Sequence, residues 1–271
     1  MIRAVQLKNK PLVYFFEIFI EQISELNMKT IVLTIFVIAF ASCTSQQKLD
    51  SKTETITTRP DMVNTKLQFD FTAGKAHNYP TFAIWVEDLE GNYIETLYVT
   101  SYIASGTFLH GESQPGKWKK EPGNVRRPAA LPYWSHKRNI IAPDGLYTPS
   151  PETAVPDALS GATPRYNFTL KTGTKADTQK MFRVLVEVNQ TWDSNDFWTN
   201  SKFPGDFNYK TSLQPALVYA VTVSPDVPGK QFFLNPIGHS HYSGKTGELF
   251  TDITTITTAR EIFSKIAVKV E

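Results

Sequence analysis

The chain has 271 residues, 41% of them apolar and 20% charged, and its 28 Lys+Arg nearly balance 26 Asp+Glu for a formal net charge of +2. That balance, without basic clusters, leaves no electrostatic footprint for nucleic acid and excludes it as a partner. The single cysteine, Cys43, excludes an internal disulfide and a site built from several thiolates.

Met28-Lys29 precedes an apolar run from Ile31 to Ala41, far short of the roughly 20 residues that a membrane span needs. A basic start, a compact apolar stretch and small residues describe a secretory signal. The run ends in Ala41-Ser42-Cys43, which resembles a bacterial lipoprotein box in which Cys43 is lipidated and becomes the first mature residue. Phe40 stands where such boxes prefer Leu. We expect residues 1–42 to be leader and signal peptide. Met28 is the expected true start, because Glu17, Glu21 and Glu25 interrupt any upstream apolar segment. From Cys43 onward, 24 Lys+Arg meet 23 Asp+Glu. Residues 43–65 are rich in Thr, Ser, Gln and Lys and read as a flexible tether.

From Lys66 onward strand patterns dominate. Leu67–Phe71 is a short strand. Phe82–Asp88 and Tyr93–Val99 flank the turn Leu89-Glu-Gly-Asn92 and read as a hairpin. Residues Gly111 to Pro164 form a long, proline-rich insert, and loops of that length are usually functional. Tyr166–Leu170 is again a short strand. Met181–Val188 alternates, with Phe182, Val184, Val186 and Val188 on one face and Arg183 and Glu187 on the other. Leu217–Val223 and Ile266–Val270 complete the set, and Ile256, Ala259, Ile262 and Phe263 give helical spacing over Thr255–Phe263. Short strands between Pro- and Gly-containing turns predict a single domain over 66–271. Its expected class is all-β: an antiparallel, immunoglobulin-like β-sandwich with long loops and one short helix near the C-terminus.

At the end of the insert stands Asp157-Ala-Leu-Ser160-Gly161-Ala162-Thr163-Pro164. This Asp-x-x-Ser-Gly-Ala-Thr pattern resembles the acceptor motif at which exported bacterial proteins receive covalent FMN, joined through its phosphate to the last Thr hydroxyl. By composition such a pattern arises in about one in a thousand chains of this length. The resemblance implies FMN on Thr163, a loop of small residues at Ser160, Gly161 and Ala162, and Asp157 as a positioning group. Pro164 departs from many such motifs and pushes Thr163 towards extended backbone. A plain turn would use the same residues differently: Asp157 as a cap, Gly161 for a positive φ and Pro164 as the stop.

Phe82–Asp88, Trp192–Trp198, Gln214–Tyr219 and Gly238-His-Ser-His241 resemble a bacterial periplasmic family of unknown function, often encoded beside flavin transferases and PepSY-type membrane flavin reductases. The resemblance implies a lipid-anchored, periplasm-facing protein of the cell envelope that serves flavin-based electron transfer as a carrier or accessory rather than as a catalyst. Its partners would be a flavin transferase, a membrane flavin reductase and, through the lipid anchor, the membrane. A second reading is a non-redox binding module for a carbohydrate or an envelope protein. A third is a metalloprotein built on His239 and His241, which needs a third ligand from His110, His136, Glu248 or Asp252. The aromatic run Trp192, Phe197, Trp198, Phe203, Phe207 and Tyr209 suits either core packing or stacking on a flat ligand. No nucleophile elbow, phosphate loop, dinucleotide fingerprint or zinc-protease helix is present.

Overall fold

The computed structural model describes residues 53–58, 64–114, 116–177 and 179–271. The signal peptide, Met28 and Cys43 lie outside the described residues. In chain order the elements are β1 (Glu54–Thr57), β2 (Thr65–Ala73), β3 (Thr81–Glu87), β4 (Tyr93–Thr100), α1 (Ser101–Ser105), β5 (Thr107–Phe108), β6 (Glu112–Gln114), β7 (Lys117–Trp118), β8 (Gly123–Asn124) and α2 (Pro132–Arg138). Next come β9 (Ser160–Gly161), β10 (Phe168–Thr174), β11 (Phe182–Asn189), α3 (Phe207–Ser212), β12 (Leu217–Val223), β13 (Gln231–Phe233), β14 (Asn235–His239) and β15 (Phe263–Val270).

The fold is an all-β sandwich with a few short helices. One sheet runs β1-β10-β2-β15-β13 and the other β14-β12-β11-β3-β4-β9. Their facing sides close a core of Phe69, Phe71, Phe168 and Val268 from the first sheet against Phe82, Val184, Val186 and Tyr219 from the second. The Phe71 ring stacks on Phe168 at 4.3 Å, and Phe82 lies 5.5 Å from Phe168. Each such pair contributes about 0.5–1.5 kcal/mol beyond its buried area. Pairing is antiparallel except at two edges, where β1 runs parallel to β10 and β9 parallel to β4.

The expected hairpin is β3–β4, with Ala83 opposite Val99 and Glu87 opposite Tyr93. Asp88 fixes its turn by accepting the Asn92 backbone N–H (2.8 Å) and side-chain amide (2.7 Å). The expected tether is shorter than residues 43–65, since Glu54–Thr57 pairs along β10. Its alternating Thr and Ile suit an edge strand, and the Thr58 hydroxyl donates to Thr172 at 2.8 Å. The helix expected over Thr255–Phe263 is reduced to a 3₁₀ turn at Thr258–Glu261, because Phe263 already opens β15. Its apolar spacing still delivers Ile256, Ala259 and Ile262 to the core.

The largest departure concerns the outer face of the second sheet. Leu185, Trp85, Ala83 and Val218 point away from the sandwich core, yet they are buried under Ile103, Leu131, Trp134, Val155 and Leu159 of the segment after β4. The expected long loop is thus a folded cover. Burying side chains of this size stabilises by about 1.5–3 kcal/mol each. Glu187, read from alternation as a solvent-side residue, is fully buried beneath that cover. Its carboxyl group accepts the backbone N–H groups of Tyr133 (3.1 Å) and Trp134 (2.7 Å), the otherwise unpaired donors in the first turn of α2. Glu87, also buried, is met by Lys137 of α2 at 3.4 Å, Arg183 at 3.3 Å and the Trp85 indole N–H at 3.0 Å. Two glutamates on the sheet therefore hold the cover in place.

Candidate functional site

The segment carrying Thr163 lies at the edge of the second sheet. After a 3₁₀ turn at Asp157–Leu159, the Leu159 side chain is buried in the outer core, which anchors the segment against the sheet. Ser160 and Gly161 then pair in parallel with Val99 and Thr100 of β4. Asp157 and Ala162 are exposed, and Ser160, Gly161 and Thr163 are half-buried.

Gly161 does not have the positive φ expected of a plain turn. It is small because of what it touches: a Cβ at this position would stand 2.6 Å from the Tyr98 hydroxyl oxygen. That hydroxyl donates to the Ala162 carbonyl at 3.0 Å. Burial raises the Tyr98 phenol well above its ordinary value, so it remains a proton donor. On the far side, His77 Nε2 donates to the Pro164 carbonyl at 3.1 Å, while its Nδ1 is buried without a partner among the described residues. Burial lowers the His77 pKa and keeps the ring neutral. Thr163 is held between these two clamps, and its own hydroxyl makes no hydrogen bond to a described residue.

Arg165, two residues further on, lies with its guanidinium 5.5 Å from the centre of the Tyr79 ring. Tyr102 of α1 stacks on Phe108 at 5.2 Å, and the Arg127 guanidinium stands 5.8 Å from the Phe108 ring. Desolvation lowers the Arg127 pKa to about 10, which leaves it charged at neutral pH. None of Tyr98, His77, Tyr79 or Arg165 was legible as part of the site from the motif alone. The sequence signal next to Thr163 was Pro164, which directly precedes Arg165.

His239 and His241 sit elsewhere, beyond the β12–β14 edge. His239 closes β14, bridges to Phe250 through two 2.8 Å backbone hydrogen bonds, and has Nδ1 2.8 Å from the Ser240 carbonyl. His241 lies in the loop, stacks on Tyr242 at 4.5 Å and accepts the Ser243 backbone N–H at Nδ1. Burial, then Lys245, lowers its pKa. Among the described residues, no group of three or more His, Cys, Asp or Glu side chains gathers as a metal site. The aromatic run divides: Trp198 and Tyr209 are buried in the main core, Phe203 packs against it, and Trp192 and Phe197 are exposed. Phe203 stacks on Tyr242 at 4.2 Å beside an open depression of about 580 Å³, which Lys202, Phe207 and Lys245 also line.

No helix among the described residues is long and apolar enough to cross a membrane. Comparison with protein-family models, curated proteins and solved structures finds no match to this chain.

Proposed function

We propose that this protein is an extracytosolic, lipid-anchored component of a flavin-based electron-transfer system, carrying FMN covalently on Thr163. The observation that supports this best is the state of the Thr163 hydroxyl. It belongs to a half-buried residue beside a sheet edge, makes no hydrogen bond to a described residue, and is flanked by backbone held from both sides by Tyr98 and His77. A hydroxyl already engaged in the fold would have to break that bond before it could react.

The surrounding residues fit the group. Gly161 lets the segment lie directly against the Tyr98 hydroxyl, and the next residue, Ala162, is exposed and small. Arg165 offers a guanidinium, a shape suited to phosphate oxygens, two residues from the acceptor. In the transfer, Thr163 Oγ1 bonds to the FMN phosphorus as the phosphoanhydride bond of flavin adenine dinucleotide breaks. AMP departs with that bond's electron pair, and the hydroxyl proton passes to a base of the flavin transferase. Bound FMN would supply the redox chemistry that the side chains of this chain lack. The fold's own task is to hold the segment and to keep the acceptor at the surface. Lipidation of Cys43 would keep the domain beside a membrane flavin reductase, facing the periplasm.

Intact mass after co-expression with a flavin transferase tests the reading. One FMN gained by the native chain and none by Thr163→Val supports it, whereas an unmodified native chain despite an active transferase refutes it. A second reading, a non-redox binding module, draws on the open depression beside the Phe203–Tyr242 stack, where a sugar face could pack. Binding of oligosaccharides that is lost in Tyr242→Ala would favour that reading.

A further inference from the structure

Two large aromatic side chains are exposed at the end of the second sheet where Thr163 lies, and both occupy unusual backbone. Trp192 is 70% exposed with φ 58°, and Tyr79 is 56% exposed with φ 49°. Bulky residues with positive φ are genuine outliers, and such conformations cost about 1–3 kcal/mol each. The fold bears these costs at two neighbouring positions. Tyr79 comes just before β3, Trp192 just after β11, and these strands pair with Thr81 opposite Asn189. The Asn78 backbone N–H donates to Gln190 Oε1 at 2.8 Å and ties the two loops together. The Trp192 N–H is in turn held by the Thr211 carbonyl at 3.3 Å.

The acceptor segment runs beside the same loops. Pro164 is hydrogen-bonded to His77, two residues before Tyr79, and the Arg165 guanidinium lies against the Tyr79 ring. We infer that Tyr79 and Trp192 form an aromatic platform on which a flavin ring attached to Thr163 packs. The inference rests on the reading of Thr163 as the attachment point. An isoalloxazine presents a flat, extended π-face, which offset stacking on Tyr or Trp satisfies. Arg165 anchors Tyr79 and places its charge two residues from the phosphodiester. The platform shields one face of the flavin from water and leaves the other open to a redox partner.

The test uses the full chain, flavinylated in cells and matched for flavin content by absorbance. Mass spectrometry counts the FMN, and flavin fluorescence reports stacking. In the native protein, emission is expected to be quenched relative to free FMN, with an anisotropy that follows tumbling of the whole protein. Tyr79→Leu with Trp192→Leu is expected to brighten emission several-fold with the FMN mass retained, whereas Tyr79→Phe stays quenched. Native emission as bright as free FMN, a low native anisotropy, or an unchanged double variant overturns the platform and leaves attachment standing. The anisotropy of the native chain decides the matter even if the double variant fails to fold. Loss of the FMN mass in the native chain overturns both.

Discussion

The Tyr98 hydroxyl donates to the Ala162 carbonyl across 3.0 Å, joining a core strand to the segment that carries Thr163. The same oxygen is the atom that a side chain on Gly161 would strike. Tyr98→Phe keeps the ring contact with Phe82 at 5.4 Å and removes only the hydrogen bond. It should cost about 0.5–1.5 kcal/mol. Gly161→Ala should cost about 1–3 kcal/mol, because Tyr98 has to move out of a packed core. Urea denaturation of the three proteins checks both values, and equal stability of Gly161→Ala and the native chain would contradict the close approach.

Glu187 makes the second expectation. Burial raises its pKa from the ordinary 4.5 to about 8, against the opposing pull of the Trp134 and Tyr133 N–H donors. The folded state thus binds this proton more tightly than the unfolded chain. The stability it contributes is complete below about pH 4.5 and is lost as pH rises through about 8. Glu187→Gln offers one acceptor oxygen where two N–H groups wait, so it should cost about 1–3 kcal/mol at acidic pH. That deficit should shrink as the pH rises through about 8. Thermal melts of both proteins across this range read the difference, and a deficit that grows with pH would contradict the assignment.

His77 has the opposite sign. Its pKa is lowered below 6.5, chiefly by burial, so the unfolded chain binds this proton more readily. Its contribution is complete above pH 6.5 and is lost as pH falls through the lowered value. His77→Gln can still donate to the Pro164 carbonyl but does not titrate. The native chain should therefore lose more stability than this variant between about pH 7 and 5. Urea midpoints at three pH values in that interval test the difference, and parallel losses in the two proteins would contradict it.

Much of the architecture was legible in the chain. The β3–β4 hairpin followed from alternation around Asp88 and Asn92, and β11 followed from Phe182, Val184, Val186 and Val188. The buried outer face was also written there, in Phe82-Ala-Ile-Trp-Val86 and Val184-Leu-Val186, which are apolar at successive positions and so are covered on both sides. The charged residues Arg183 and Glu187 hid that signal, because alternation assigns them to water. Only the fold shows that α2 supplies N–H donors to Glu187 and that Lys137 and Arg183 meet Glu87. The site divides in the same way. Residues 157–163 stand out through their local pattern, while Tyr98, His77 and Tyr79 reach the neighbouring segment from strands and loops distant in sequence, where no local spacing can register them.

The central claim concerns one hydroxyl, and the most direct measurement is fragment-level mass spectrometry of the chain isolated from cells with an active flavin transferase. The expected result is one FMN phosphodiester mapped to Thr163 and absent from Thr163→Val. An unmodified Thr163 in the native chain, or FMN retained in Thr163→Val, would contradict the account.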